Sequence, residues 1–325
     1  MRLFTSDSSR TELKVVASVV LVLIAVECGL RAVEEKISLD VQHIRAIPAI
    51  TQAVMSGPEP RLLFLGNSMT RDGIDEEAFR GELDREGIGP VTTGRMFPDN
   101  TQIGEWYYAF KKQCIHADRI PNFLVISCPT DQLTDLAHFS VYKLGSTWTR
   151  YHDVFEVFGN EVTNFGDRSE FLIAMHSSAF ANRRRVGSRL LDAVVPNYRM
   201  AARQINEVLR KSKRQAATQA RIEITYHRLE RLIDLARSHD VQVAIAAVAL
   251  PKYYEIDPGL TALLASHGVP LLDCRRVPGL NATLFKDALH MKPEGAEIYS
   301  RYLAAKVAPM IKARALPSRE TTPAR

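Results

Sequence analysis

The chain lacks the marks of most cofactor-dependent proteins. Its four cysteines, Cys28, Cys114, Cys128 and Cys274, are far apart. No Cys-x-x-Cys pair exists, so neither a zinc site nor a dithiol redox motif has ligands to build on. Cys128 ends an apolar run and reads as a packed strand residue; nothing in the spacing asks for a disulfide. There is no phosphate-binding glycine loop and no dinucleotide-binding glycine pattern. His116, His138, His152 and His176 have no metal-ligand spacing. The sequence therefore calls for no cofactor and no metal. Long Gly/Ser or Gln/Asn tracts and internal repeats are also missing, which argues against linker-like, low-complexity and solenoid architectures.

What remains is a globular composition. Of 325 residues, 46% are hydrophobic and 24% charged. Once an N-terminal segment is set aside, about 280 residues are enough for one large α/β domain with an insertion, or for two modest domains. The net charge is +5 and is unevenly spread: from Arg183 to Arg237 there are fourteen Lys/Arg against five Asp/Glu. Such a stretch fits an anionic partner (nucleic acid, lipid headgroups, an acidic polysaccharide) or a solvated helix face. Within it, Arg183, Arg184 and Arg185 are candidates for a phosphate or a uronic-acid polymer, or simply a helix end.

One long apolar run is present, Val15 to Val26, preceded by Arg2, Arg10 and Lys14 and followed by Arg31. Extended to Leu13–Leu30 it approaches the roughly 17–20 residues that cross a bilayer, with Glu27 near its outer end. A signal peptide needs a small-x-small cleavage site, and none follows cleanly. A lipoprotein signal needs a small residue before Cys28, and Glu27 stands there. A buried amphipathic helix is a further alternative. The preferred expectation is a single-pass anchor in a bacterial inner membrane, with residues 1–31 as cytoplasmic N-terminus and anchor and the rest in the periplasm or at the cell exterior.

Residues 32–60 read as a stalk or a first helix. An alternation of apolar runs and helical patterns follows. Strands are expected at Arg61–Gly66, Pro90–Gly94, Asn122–Cys128, Val241–Leu250 and Val269–Asp273. Helices are expected at Ile74–Arg85, Gln102–Cys114, Ile222–His239, near Pro258–His267 and at Pro293–Ala313. Between Asp131 and about Ala217 the pattern lapses into an aromatic-rich and then a basic helical stretch, read as an insertion at about 132–218. The tail 317–325 reads as disordered. The alternation predicts a parallel sheet with helices on both faces, whose sites form at the carboxyl ends of strands.

Two segments fall at such ends. Arg61–Met69 is an apolar run closing on Gly66-Asn67-Ser68, where a serine between strand and helix can present Oγ to a substrate and its N–H to an oxyanion; Ser68 also suits an ordinary helix cap. Asp287-Ala-Leu-His290 precedes Pro293 and Glu294, a good helix start. Three-residue spacing lets Asp287 accept from His290 Nδ1, leaving Nε2 to take a proton from Ser68. Arg71, Asp72 and Asp75 lie nearby as candidate substrate contacts or helix-start charges.

These residues resemble two blocks of the SGNH, or GDSL-like, hydrolase superfamily. Gly66-Asn67-Ser68 is similar to the first, with Asn for the usual Asp; Asp287-Ala-Leu-His290, with Pro293-Glu-Gly295 behind it, is similar to the last. The resemblance covers about 61–128 and 222–313 and implies a flavodoxin-like three-layer α/β/α fold and a Ser–His–Asp site acting on esters. Two middle blocks depart from it. The family's glycine after the second strand has no secure counterpart in Gly94–Asn100. Cys128-Pro-Thr130-Asp131 stands where the family has Gly-x-Asn-Asp, whose Asn is an oxyanion donor. Losing one such donor costs roughly 10²–10³ in rate. The expected oxyanion donors are therefore the Ser68 N–H, Thr130 and Asn100.

The expectation is a membrane-anchored serine esterase or O-acyltransferase. Ser68 is the nucleophile, His290 the base and Asp287 its partner, acting on an ester, such as acetyl, of a cell-surface glycan. The alternatives are a catalytically inactive member of the same fold serving a polysaccharide assembly, and, more weakly, nucleic-acid binding by the basic stretch. An extracytoplasmic location would remove that last partner, so no nucleic acid is expected.

Overall fold

The computed structural model describes residues 6–198, 200–202, 204, 205, 208 and 223–315. Along the chain the helices are α1 (Ser6–Ile37), α2 (Leu39–Ser56), α3 (Ser68–Gly73), α4 (Glu76–Arg85), α5 (Ile103–Phe110), α6 (Val154–Asn160), α7 (Phe165–His176), α8 (Ser178–Val194), α9 (His227–Arg237), α10 (Pro258–Ser266) and α11 (Pro293–Ala315). The strands are β1 (Arg61–Leu65), β2 (Thr92–Met96), β3 (Phe123–Cys128), β4 (Gln242–Ala247) and β5 (Leu271–Asp273). The chain divides into two units, His43–Ser140 with Ile224–Arg325, and Met1–Gln42 with Val141–Glu223.

In the first unit the five strands form one all-parallel sheet in the order β2-β1-β3-β4-β5. Its strands are short apolar runs because both faces are covered. Leu62, Phe64, Phe123, Val125, Ala244 and Ala246 pack with Phe79 and Leu83 of α4 and with Tyr299, Leu303 and Val307 of α11. The alternate residues Leu63, Leu65, Leu124, Ile126, Val243 and Ile245 are as deeply buried and point to the opposite face. There α2 closes on the sheet. A Cβ at Gly94 would collide with Val54 Cγ2 and sit 3.2 Å from Ile50 Cγ2, so the strand opposite Leu63 needs a glycine for the helix to come this near. α9 packs on β4 and α5 with Leu229, Leu232, Ile233 and Ala236 buried. The result is the expected three-layer α/β/α sandwich of the flavodoxin-like strand order, with its switch point between β1 and β3.

Two boundaries move. The segment read as a stalk or a first helix, 32–60, contains the helix α2, whose Ile47, Thr51 and Val54 are buried; the α/β unit starts near His43 rather than Arg61. The chain leaves this unit after Ser140, not near 132, and re-enters at Ile224. The two crossing points are stitched together: Asp135 N donates to Thr225 O (2.9 Å), and the Asp135 carboxylate accepts from Thr225 Oγ1, His227 N and Arg228 N. It thereby caps α9. The tail 317–325 and much of the basic stretch lie outside the described residues.

The second unit is helical. α1 carries the apolar run and, among the described residues, is the one helix long and apolar enough to cross a membrane, Thr11–Lys36, with that run fully exposed. Glu27 accepts from Ser177 Oγ, Ser178 N and Ala179 N at the start of α8 and pairs with Arg31 at 2.7 Å. The basic triplet is engaged inside this unit. Arg183 pairs with Glu170 (2.7 Å) and Arg185 with Asp40 (2.8 Å), beside the buried Lys143 on the same carboxylate. Arg184 lies over the Tyr142 ring, 5.3 Å from its centroid. Arg183 and Arg185 thus serve as ties within this unit, while Arg184 is exposed.

Candidate active site

The strand–turn–helix at Leu65–Met69 is built by close approach. Gly66 N donates to Met96 O (3.0 Å). A Cβ on Gly66 would collide with Thr70 Oγ1 and stand 2.9 Å from Ser127 O, two atoms already hydrogen-bonded to each other at 2.9 Å. Asn67 is the N-cap of α3: its Oδ1 accepts from Met69 N (3.1 Å). That bond fixes the amide, so Nδ2 faces the other way and donates to Thr101 O (3.0 Å) and Gln132 Oε1 (2.9 Å). One buried side chain thus joins the carboxyl ends of β1, β2 and β3. Ser68 follows as the first residue of α3, where the backbone N–H has no intrahelical acceptor.

The other half is a tight loop between Leu284 and α11. Lys286 N donates to His290 O (2.7 Å), Lys292 N donates to Leu284 O (2.8 Å), and Phe285 pairs antiparallel with Met291. Within it the Asp287 carboxylate accepts from Leu289 N (2.8 Å) and His290 N (2.9 Å). His290 Nδ1 lies 2.9 Å from Asp287 Oδ2 and 3.0 Å from Oδ1. His290 Nε2 lies 2.9 Å from Ser68 Oγ, across 222 residues of sequence. Because an ionised carboxylate only accepts, Nδ1 carries the proton and Nε2 is free to accept from the serine hydroxyl. Partial burial works against ionisation of Asp287. Hydrogen bonds from the His290 ring and the Leu289 and His290 backbone outweigh it and hold the carboxyl below its usual range.

An ionic chain braces the two halves. Arg71 of α3 forms a fork on both oxygens of Asp99 (2.6 and 2.7 Å) and reaches Asp72 at 3.4 Å; Lys286, next to Asp287, approaches Asp72 at 3.4 Å. Asp75 is spent as the N-cap of α4, accepting from Glu77 N and Ala78 N. Of Arg71, Asp72 and Asp75, expected as substrate contacts or helix-start charges, Asp75 is a helix-start charge, and Arg71 and Asp72 form the brace beside Ser68.

The remaining expected donors sit at neighbouring strand ends. Thr130 is buried and opens a 3-10 turn, Thr130–Leu133, directly after β3. Asn100 lies in the loop after β2 with a positive φ of 54° and an exposed side chain. Gly94 lies inside β2, opposite Leu63, and not in the loop that follows the strand. Gln132 was missed. Its Oε1 is held by Asn67, which turns its NH₂ away from that contact. The available signal was an amide two residues past Thr130 in the same turn.

The chain matches no protein-family model, and no curated protein matches it. Among solved structures it is similar to GDSL-like lipases and acylhydrolases. A GDSL-like lipase from Bacteroides thetaiotaomicron shares 10% identity, over 83% of this chain and 99% of that one, with a TM-score of 0.36. A lipase/acylhydrolase from Enterococcus faecalis shares 12% identity, over 77% and 96%, with a TM-score of 0.32.

Proposed function

We propose that this protein is a serine hydrolase or acyltransferase of the SGNH type, acting on an ester through Ser68, His290 and Asp287. The observation that carries the reading is the continuous hydrogen-bonded line from Asp287 through His290 to Ser68, each link 2.9 Å. In the forward step His290 Nε2 takes the Ser68 proton as Oγ attacks the ester carbonyl. The Ser68 N–H donates to the developing oxyanion, with Thr130, Asn100 and the Gln132 amide as further donors at the adjacent strand ends. Asp287 stabilises the cationic imidazole. His290 then returns the proton to the leaving alcohol. Water, or a sugar hydroxyl where water is excluded, attacks the acyl-serine with His290 again as base.

The location is part of the same proposal. The charges before the apolar run of α1 favour an N-terminus in the cytoplasm and a catalytic body in the periplasm or at the cell exterior. There an acetylated surface glycan is a fitting substrate. Acetyl release from p-nitrophenyl acetate by the wild-type protein, lost in Ser68→Ala and His290→Ala, tests the chemistry. Unchanged acetylation of the cell-surface glycan in a Ser68→Ala strain would remove the glycan from the account.

A second reading has its own observation. Thr130 stands where the resemblance expects an asparagine donor, and no glycine N–H is aligned for the second block. Those changes favour a non-catalytic scaffold of a polysaccharide assembly. It predicts a folded protein with no acetyl release at any glycan or ester concentration.

A further inference from the structure

The helical unit carries an exposed apolar patch that the proposed reaction does not use. α7 and α8 form a hairpin joined by Ser177 alone: Ser177 N donates to Ile173 O at the end of α7, and Ser177 Oγ accepts from Phe180 N at the start of α8. A cross-tie from Arg183 to Glu170 holds the two arms side by side. The tip is fixed to α1 at one height. Glu27 accepts from Ser177 Oγ (2.9 Å), Ser178 N (2.7 Å) and Ala179 N (2.9 Å), and Arg31 Nη2 donates to His176 O (3.2 Å). Glu27 is the first charged residue after the run Val15–Val26, so the tip lies where that run stops.

The direction of α8 is equally defined. Its contacts with the N-terminal helices advance in step, from Glu27 at 177–179, to Asn182 on Glu34, to Arg185 on Asp40. α8 therefore leads away from the apolar run, and only the tip adjoins it. Around that tip Tyr151 is 71%, Phe155 87%, Leu172 40% and Ile173 48% exposed. The Tyr151 ring lies 5.6 Å from the ring of His176. Phe155 is four residues further on. Leu172 and Ile173 are about one helical turn, about 5 Å, back from the tip.

We infer that the α7–α8 hairpin tip is seated in the headgroup layer of the bilayer that α1 crosses, with Tyr151, Phe155, Leu172 and Ile173 as its anchors. The inference rests on the membrane-anchor reading of α1. The occupant is lipid because the tip that bears the patch is tied to α1 at the level where the apolar run ends and its charges begin. Aromatic side chains with one polar edge concentrate at that level. The seat also accounts for Glu27. A carboxylate at the rim of an apolar run is satisfied by three donors of the hairpin and by Arg31, so the anchor and the hairpin hold each other in register.

The test uses the full-length protein in phosphatidylcholine vesicles, with single tryptophans introduced by Leu23→Trp, Phe155→Trp, Ile173→Trp and Leu190→Trp. The native Trp106 and Trp148 are both buried and give the baseline. Quenching is read with lipids brominated near the headgroup or deep in the chain. The seat predicts that the Leu23→Trp emission is lost to both lipids. It predicts that Phe155→Trp and Ile173→Trp lose most of their added emission to shallow bromines and less to deep ones. Leu190→Trp, exposed and far along α8, should follow the parent. Quenching at 23 with none at 155 and 173 overturns the seat, leaves the anchor standing and frees the patch for a protein partner. No quenching at 23 overturns the anchor, and the seat with it.

Discussion

Replacing Asn67 by alanine should damage both stability and reactivity, although Asn67 itself touches no reacting atom. Its side chain is 4% exposed and makes three hydrogen bonds, to Met69 N, Thr101 O and Gln132 Oε1. Removing the N-cap acceptor costs about 1 kcal/mol. A stranded buried carbonyl such as Thr101 O costs about 1–3 kcal/mol, whereas half-buried Gln132 can turn to water and adds little. The expected total is about 2–4 kcal/mol, which for a unit of this size lowers Tm by roughly 4–16 °C. Asn67→Asp keeps the cap but sets a carboxylate oxygen against Thr101 O, so it should be recovered in part by acidification, and Asn67→Ala should not. Thermal melts of the full-length protein in detergent, beside the rate of Ser68 modification by a fluorophosphonate, read both effects. An Asn67→Ala protein that melts and reacts like the wild type would refute the idea that this amide ties the three strand ends together.

Other consequences follow from the same geometry. Gly66→Ala should abolish Ser68 reactivity and lower Tm, because its Cβ meets Thr70 Oγ1 and Ser127 O together; the paired Gly66→Ala/Thr70→Ala protein should regain only part, since the carbonyl stays. On the proposed mechanism Asp287→Asn should lose activity on the order of 10⁴-fold, the scale on which other triads lose an orienting carboxylate; acetyl release measures it. The Asp287 carboxyl titrates below its usual range in the folded protein, so its ionised form stabilises the fold above that range and the contribution is lost as pH falls through the lowered value. The Tm gap between wild type and Asp287→Asn should therefore be constant near neutrality and shrink in acid, and a gap that widens there contradicts the assignment. Burial pushes the Cys114 and Cys274 thiols up to about 12 and Cys128 well above its ordinary value, leaving about one thiolate in 10⁴ or fewer at pH 8. Iodoacetamide should leave Cys114, Cys128 and Cys274 unmodified in the folded protein and modify all three after denaturation.

Much of the sheet was legible because a strand buried on both faces writes itself as a short apolar run. Leu62–Leu65 and Phe123–Cys128 are such runs, and the structure has β1 and β3 within a residue of the expected limits. β2 was less clear: it is an edge strand with half-exposed Thr92 and Thr93, and its end shifts from Gly94 to Met96. Pro48, Arg45 and Gln52 dilute the apolar stripe of α2 in the sequence, and its close approach to the sheet depends on a glycine some forty residues on. In the site, Ser68, Asp287 and His290 could be picked out because spacing and residue type carry their chemistry. The service of Asn67 could not, since its partners at 101 and 132 are adjacent only after the sheet forms. Arg183–Arg185 read as an anion site or a helix end, and the acidic partners of Arg183 and Arg185, at 170 and 40, are equally invisible to local pattern.

The most direct test of the central claim is intact-mass analysis of the full-length protein after a fluorophosphonate, beside Ser68→Ala and His290→Ala. An activated Ser68 should give one adduct on the wild-type protein, mapped to Ser68, none on Ser68→Ala, and a greatly slowed reaction on His290→Ala. A folded wild-type protein that takes no adduct, or takes it on another residue, would contradict the assignment of Ser68 as an activated nucleophile.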